Sequence, residues 1–179
     1  MNGMRLPYVE DQTDEICLAA VKQNGWALEF VKNQTEEICL VAVKQNGRAL
    51  EFVENKTDEI CMEAVRQNVW AITHVQNQTD EICLEVMKQN VWAIKHIRDQ
   101  TEAMCLEAVR QNGTILRYIR EQTLDICIAS VMNPIYDFGN AYELDDPRRL
   151  NPIEDPKMRE MCERYQSGIR FLKTKSAKK

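Results

Sequence analysis

A period of 22 residues runs through most of the chain and constrains its fold more than any other feature. The stretch "QTDEICLAAVKQNG" (12–25) returns as "QTEEICLVAVKQNG" (34–47). Threonines at 13, 35, 57, 79, 101 and 123 keep that spacing, as do cysteines at 17, 39, 61, 83, 105 and 127. Six copies therefore stand in register with no insertion between them. Half a copy precedes the first, since "GMRLPYVEDQ" (3–12) lies over "GWALEFVKNQ" (25–34). A short fixed period marks stacked architectures, in which a unit too small to bury its own apolar face buries it against the next.

Each copy reads as two short helices. Thr13 suits an N-cap, and Asp14 and Glu15 place negative charge beside the positive end of the helix dipole. Ile16, Cys17, Ala20 and Val21 form one apolar stripe of helical period, with Leu18 on its flank. Lys22 complements the far end of the dipole, and Gln23-Asn24-Gly25 stops the helix. Val69 and Val91 replace the glycine in two copies, whereas Asn24, Asn46, Asn68, Asn90 and Asn112 all persist. Asn is therefore expected to take a left-handed turn position, with Gly optional. The second helix is expected over about Trp26–Lys32, burying Ala27, Leu28 and Val31 with Phe30 at the edge. Helices of roughly seven or eight residues are not stable alone. The expected fold is all-α: an α-solenoid of tandem 22-residue helix-turn-helix repeats with terminal caps.

The stretch "TDEICLAAVKQNGWALEFV" (13–31) resembles the tandem helical repeats of the domain-of-unknown-function 4116 family. The resemblance covers residues 3 to about 131, and "AVKQNG…AL" is its most distinctive part. Val69, Val91 and everything beyond Val131 depart from the pattern. Such repeats are common in large DNA viruses of amoebae and in some protists and bacteria. The resemblance thus implies a viral origin, and it brings no activity with it.

Residues 3–133 are read as the six-copy domain, with the half-copy 3–12 as its front cap and Pro7 on the outward face of that half-copy. A loop-rich connection is expected over 134–155, where Pro134 and Pro152 break helix. Pro156 then opens a capping or dimerisation helix within 156–179, with Met158, Met161, Cys162 and Tyr165 on one stripe. The closing "KTKSAKK" reads as a solvated lysine-rich tail.

Seven cysteines invite a disulfide or metal reading, but six share the phase of the buried stripe. Stacked helices hold equivalent positions roughly 8–10 Å apart, and a disulfide needs about 4.4–6.8 Å between Cα atoms. No Cys/His cluster of zinc spacing occurs either. The cysteines are therefore expected as free thiols filling one recurring small gap, which suits a reducing compartment. His74 and His96 are the only histidines, and the column Tyr8, Phe30, Phe52, His74, His96, Tyr118 reads as rings at the core edge. With no Ser/His/Asp or Cys/His grouping, neither an enzyme nor a cofactor is expected. The first residues lack the apolar core of a secretory signal, and no run approaches bilayer-spanning length. A cytoplasmic protein is expected, in the host cytoplasm if viral, with no membrane partner.

The basic row Lys22, Lys44, Arg66, Lys88, Arg110 is accounted for by helix dipoles. The Gln23/Asn24 rows are expected to bridge turns between copies rather than to bind a peptide backbone. More informative are the columns that change. One reads Glu29, Glu51, Thr73, Lys95, Arg117; its neighbour reads Lys32, Glu54, Gln76, Arg98, Arg120. The face they form together drifts from mostly acidic near the N-terminus to wholly basic near the C-terminus. A third carries Trp26, Arg48, Trp70, Trp92 and Thr114, rings that cover the copy junctions or anchor a partner. The expected function is a non-catalytic scaffold for protein–protein interaction, self-associating into a homo-oligomer through these columns, its other protein partner unidentified. A nucleic-acid-binding solenoid is the alternative; it is disfavoured because residues 1–133 carry 13 basic against 20 acidic side chains.

Overall fold

The protein is represented by a computed structural model that describes residues 3–132, 156–157 and 159–164, and all secondary structure among these is helical. Between residues 3 and 132, short α-helices alternate with 3-10 helices. The α-helices are α1 (Asp14–Gln23), α2 (Glu36–Gln45), α3 (Asp58–Gln67), α4 (Asp80–Gln89), α5 (Glu102–Gln111) and α6 (Leu124–Met132). The 3-10 helices are η1 (Gly3–Tyr8), η2 (Gly25–Phe30), η3 (Gly47–Phe52), η4 (Val69–His74), η5 (Val91–His96) and η6 (Gly113–Tyr118).

The chain falls into two compact units, Met1–Arg98 and Asp99–Lys179. In the first, each α-helix packs on the next from α1 to α4, and each 3-10 helix on the next from η1 to η5. This neighbour-on-neighbour packing is that of a helical-repeat solenoid. Its core is the expected stripe: Ile38, Cys39, Ala42 and Val43 of α2 are buried, joined by Ala49 and Leu50 of η3 and by Val53. The half-copy at the front supplies η1, which plugs the stack with Leu6. In the second unit α5, η6 and α6 repeat the pattern. There Ser130 stands where most copies have alanine, and its buried hydroxyl donates to Gly113 O at 2.8 Å.

The caps form as expected at the α-helix starts. Thr35 Oγ1 accepts from Ile38 N–H at 3.3 Å and Thr57 Oγ1 from Ile60 N–H at 3.3 Å. Two expectations are corrected. The second helix of each copy is a six-residue 3-10 helix ending at Phe30 and its equivalents, not a helix reaching Lys32. Its bonds run back three residues, as in Val31 N–H to Leu28 O at 3.1 Å, and Val31 is already extended. Second, the asparagines are not left-handed: Asn24 sits at φ −150°, ψ 109°. It ends α1 through its own N–H, bonded to Ala20 O, and caps η2 through its side chain, which accepts from Trp26 N–H at 3.1 Å. One extended residue with two capping roles thus turns the chain from α to 3-10 helix, and no positive φ is required.

Of the C-terminal expectations, 134–155, Met158, Tyr165 and the lysine tail lie outside the described residues. Residues 156–157 and 159–164 are helical, and Cys162 is buried, but Met161 is 48% exposed and so leaves the expected apolar stripe.

Candidate interaction surface

A glutamine one residue before each capping threonine clamps its copy to the next. Gln34 Nε2 donates to Phe52 O at 2.9 Å, and its Oε1 accepts from Glu54 N–H at 3.0 Å. Gln12 makes the same pair with Phe30 O and Lys32 N–H, and Gln78 with His96 O and Arg98 N–H. In the second unit Gln100 makes it with Tyr118 O and Arg120 N–H. The clamp satisfies the carbonyl and the N–H just past the end of the 3-10 helix, although η4, which lacks it, ends at the equivalent residue His74. Position 56 breaks the column: Lys56 Nζ donates to Val53 O of its own copy at 2.6 Å.

A second amide bridge fulfils the expectation for the glutamine row, whereas the Asn24 row bonds within its own copy. Gly25 N–H donates to Gln45 Oε1 and Gly47 N–H to Gln67 Oε1, both at 2.6 Å. The copies approach so closely here that a Cβ on Gly25 would lie 2.6 Å from Ala42 O, and one on Gly47 would meet Ala64 O. Glycine is therefore not optional at these two positions. Where valine replaces it, the glutamine turns away: opposite Val69, Gln89 Nε2 donates to Val65 O at 3.0 Å.

The variable columns lie on the outside. Glu29, Glu51, Thr73, Lys95 and Arg117 are all exposed, as are Lys32, Glu54, Gln76, Arg98 and Arg120. Two cations in the second column also reach back one copy. Lys32 Nζ donates to Glu10 O at 3.2 Å, and the Arg98 guanidinium donates to Gln76 O and Val75 O at 2.6 and 3.1 Å.

Trp26, Trp70 and Trp92 are 36%, 37% and 38% exposed. Trp26 meets Phe52 edge-on with centroids 5.5 Å apart, and Trp70 meets His96 likewise at 5.6 Å. Lys95 Nζ lies 5.4 Å from the Trp70 ring centre. In unit 1, then, each of these two indoles covers a junction with one edge and leaves the rest open. The structure brings Trp70 and Lys95 together, while Glu29 and Glu51 stand on η2 and η3, on the acidic copies.

A domain of unknown function (DUF4116) matches the chain twice in tandem, over residues 13–57 and 35–78. Residues 13–78 thus carry DUF4116 repeats. The two matches begin one copy apart, and past residue 78 the DUF4116 spacing of threonine and cysteine continues to Cys127. No curated protein and no solved structure matches the chain.

The six cysteines of the repeats and Cys162 are buried thiols, none of them in a disulfide. Cys39 Sγ donates to Gln34 Oε1 at 3.5 Å, so this thiol also steadies the clamp. Burial pushes the Cys39 and Cys105 thiols up to about 11. Glu54 and Glu36 add to the shift at Cys39, and Glu102 and Glu121 at Cys105. Burial, with Lys95 beside it, moves His96 the other way, below its ordinary value. A cavity of about 190 Å³ beside Cys39 is lined by Gln34, Glu36, Glu54, Asn55, Thr57 and Ile60. It is smaller than the roughly 300–1,000 Å³ of small-molecule pockets. Among the described residues no three His, Cys, Asp or Glu side chains gather where they could hold a metal ion. No helix among them is long and apolar enough to cross a membrane.

The glutamine clamp is absent from the residues expected to matter. Its signal was its own recurrence at 12, 34, 78, 100 and 122, with Lys56 as the single exception.

Proposed function

We propose that this DUF4116 chain is a non-catalytic scaffold whose outer columns bind protein, in the first instance a second copy of itself, in a reducing compartment such as the cytoplasm. What carries the reading is the contrast between inside and outside. The buried positions and the bridging amides repeat from copy to copy, while the exposed columns change sign along the chain. Glu29, Glu51 and Glu54 are open to solvent on early copies; Lys95, Arg98, Arg117 and Arg120 are open on later ones. Half-open indoles at Trp26, Trp70 and Trp92 lie on the same 3-10 helices, and aromatic and arginine side chains dominate binding hot spots. The early copies of one molecule attract the later copies of another, in a two-fold or head-to-tail arrangement.

The thiols support the non-catalytic reading, because burial raises their pKa, opposite to what activates a nucleophile. Nucleic acid binding is the weaker reading. The acidic excess of residues 1–133 repels phosphate, and the Arg98 guanidinium is already bonded to two carbonyls. Size-exclusion chromatography with light scattering tests the proposal. A dimeric or larger mass is expected at about 50 mM salt, shrinking to the monomer near 1 M as the charges are screened. A monomer at every salt and concentration would overturn self-association.

A further inference from the structure

Among η2, η3, η4 and η5, only η4 is held at neither end by a glutamine from another copy. η2 and η3 are held at both ends: Gln45 and Gln67 take the first N–H, and Gln12 and Gln34 close the last turn. η5 is closed at its last turn by Gln78. At η4 the closing position is Lys56, which has no acceptor to offer Gln76 N–H and turns its ammonium to Val53 O. At the opening position Val69 replaces glycine, and Gln89 bonds Val65 O instead. The two exceptions in two separate columns fall on the same 3-10 helix. What remains there is mostly local: the Asn68 cap on Trp70 N–H, Thr73 Oγ1 to Trp70 O, and Gln78 Nε2 to Ile72 O. From the next copy come Arg98, on the carbonyls just past the helix, and, against Trp70, the ring of His96 and the ammonium of Lys95.

We infer that η4 is a joint built into the first unit: it opens locally, under native conditions, while η2 and η3 stay closed. Segments with few bridging bonds open by themselves and exchange their amide hydrogens early. Trp70 rides on this helix, so the row of exposed rings has one member that can change place while Trp26 keeps its own. The joint is independent of whether the chain self-associates.

Hydrogen exchange on the intact chain, read by mass spectrometry at peptide resolution, tests this. Residues 69–76 are expected to exchange about ten-fold faster than 25–32 and 47–54, the effect of roughly one lost bridging bond. The double variant Lys56→Gln, Val69→Gly restores both bridges and is expected to bring 69–76 within about three-fold of 47–54. Conversely, Gln34→Lys is expected to speed 47–54 about ten-fold and leave 69–76 unchanged. Equal rates for 69–76 and 47–54 in the unaltered chain would overturn the joint, with no variant required. So would a folded double variant whose 69–76 exchange is as fast as before.

Discussion

Gln34 uses both ends of one carboxamide, its NH2 on Phe52 O and its oxygen on Glu54 N–H, and takes the Cys39 thiol on that same oxygen. This trio explains why a thiol suits the site. A methyl group would leave the glutamine oxygen one partner short, and a larger side chain would not fit between packed helices. The thiol also ties stability to pH. Folded Cys39 and Cys105 release their protons near pH 11, against an ordinary value of 9.0. Above pH 9 the unfolded chain therefore binds fewer protons than the folded one, and stability falls as pH rises. Between pH 9 and 11 the urea midpoint of the native chain is expected to drop more steeply than that of a Cys39→Ala, Cys105→Ala variant. Parallel slopes for the two proteins would show that these thiols do not set the decline. At this scale the cysteine was legible in the sequence, because burial follows from periodicity. The glutamine was not, because its partners lie 18 and 20 residues away and hydrogen-bond geometry leaves no hydrophobic signature.

At the scale of the element, the deciding feature is how each 3-10 helix begins and ends. The pattern Ala27, Leu28, Val31 fits either helix type, so the sequence alone extends the helix to Lys32. The structure stops it at Phe30, with Val31 extended and Gln12, from the preceding linker, bonded to Phe30 O and Lys32 N–H. An apolar pattern that both helix types share carries no signal for the end of the shorter one. The start is equally constrained. Gly47 sits where a Cβ would meet Ala64 O and press on Gln67 Oε1 at 2.9 Å. Gly47→Ala is therefore expected to lower stability by about 2 kcal/mol, within the range for overpacking a close contact. Urea denaturation measures it, and an unchanged midpoint would mean that the neighbouring copy shifts aside without penalty. At Val69, by contrast, Gln89 is turned away and bonds Val65 O.

For the whole molecule, the repeat makes a copy a removable part. Every bridge in the first unit joins one copy to its neighbour, so excising residues 35–56 deletes one copy and leaves the register intact. The excision also sets Gln34 directly before Thr57, where it can close η4 in place of Lys56. The shortened chain is expected to keep its helical circular dichroism per residue and to unfold cooperatively, with a smaller dependence on urea because less surface is exposed. Loss of cooperative unfolding would contradict a copy-by-copy architecture. Fold class was readable from the period at this scale, since stacking is the way such short helices become stable. Where the outer columns dock is a property of a complex, and a single chain's periodicity does not encode it.

The clamp closes over the same 18 to 20 residues wherever it forms, at Gln12, Gln34 and Gln78 alike. Its entropy of loop closure is therefore set by that short span and not by the length of the polypeptide. Ordering can start at whichever adjacent pair meets first and spread both ways like a zip. Gene duplication could lengthen such a chain without slowing the search for its native state.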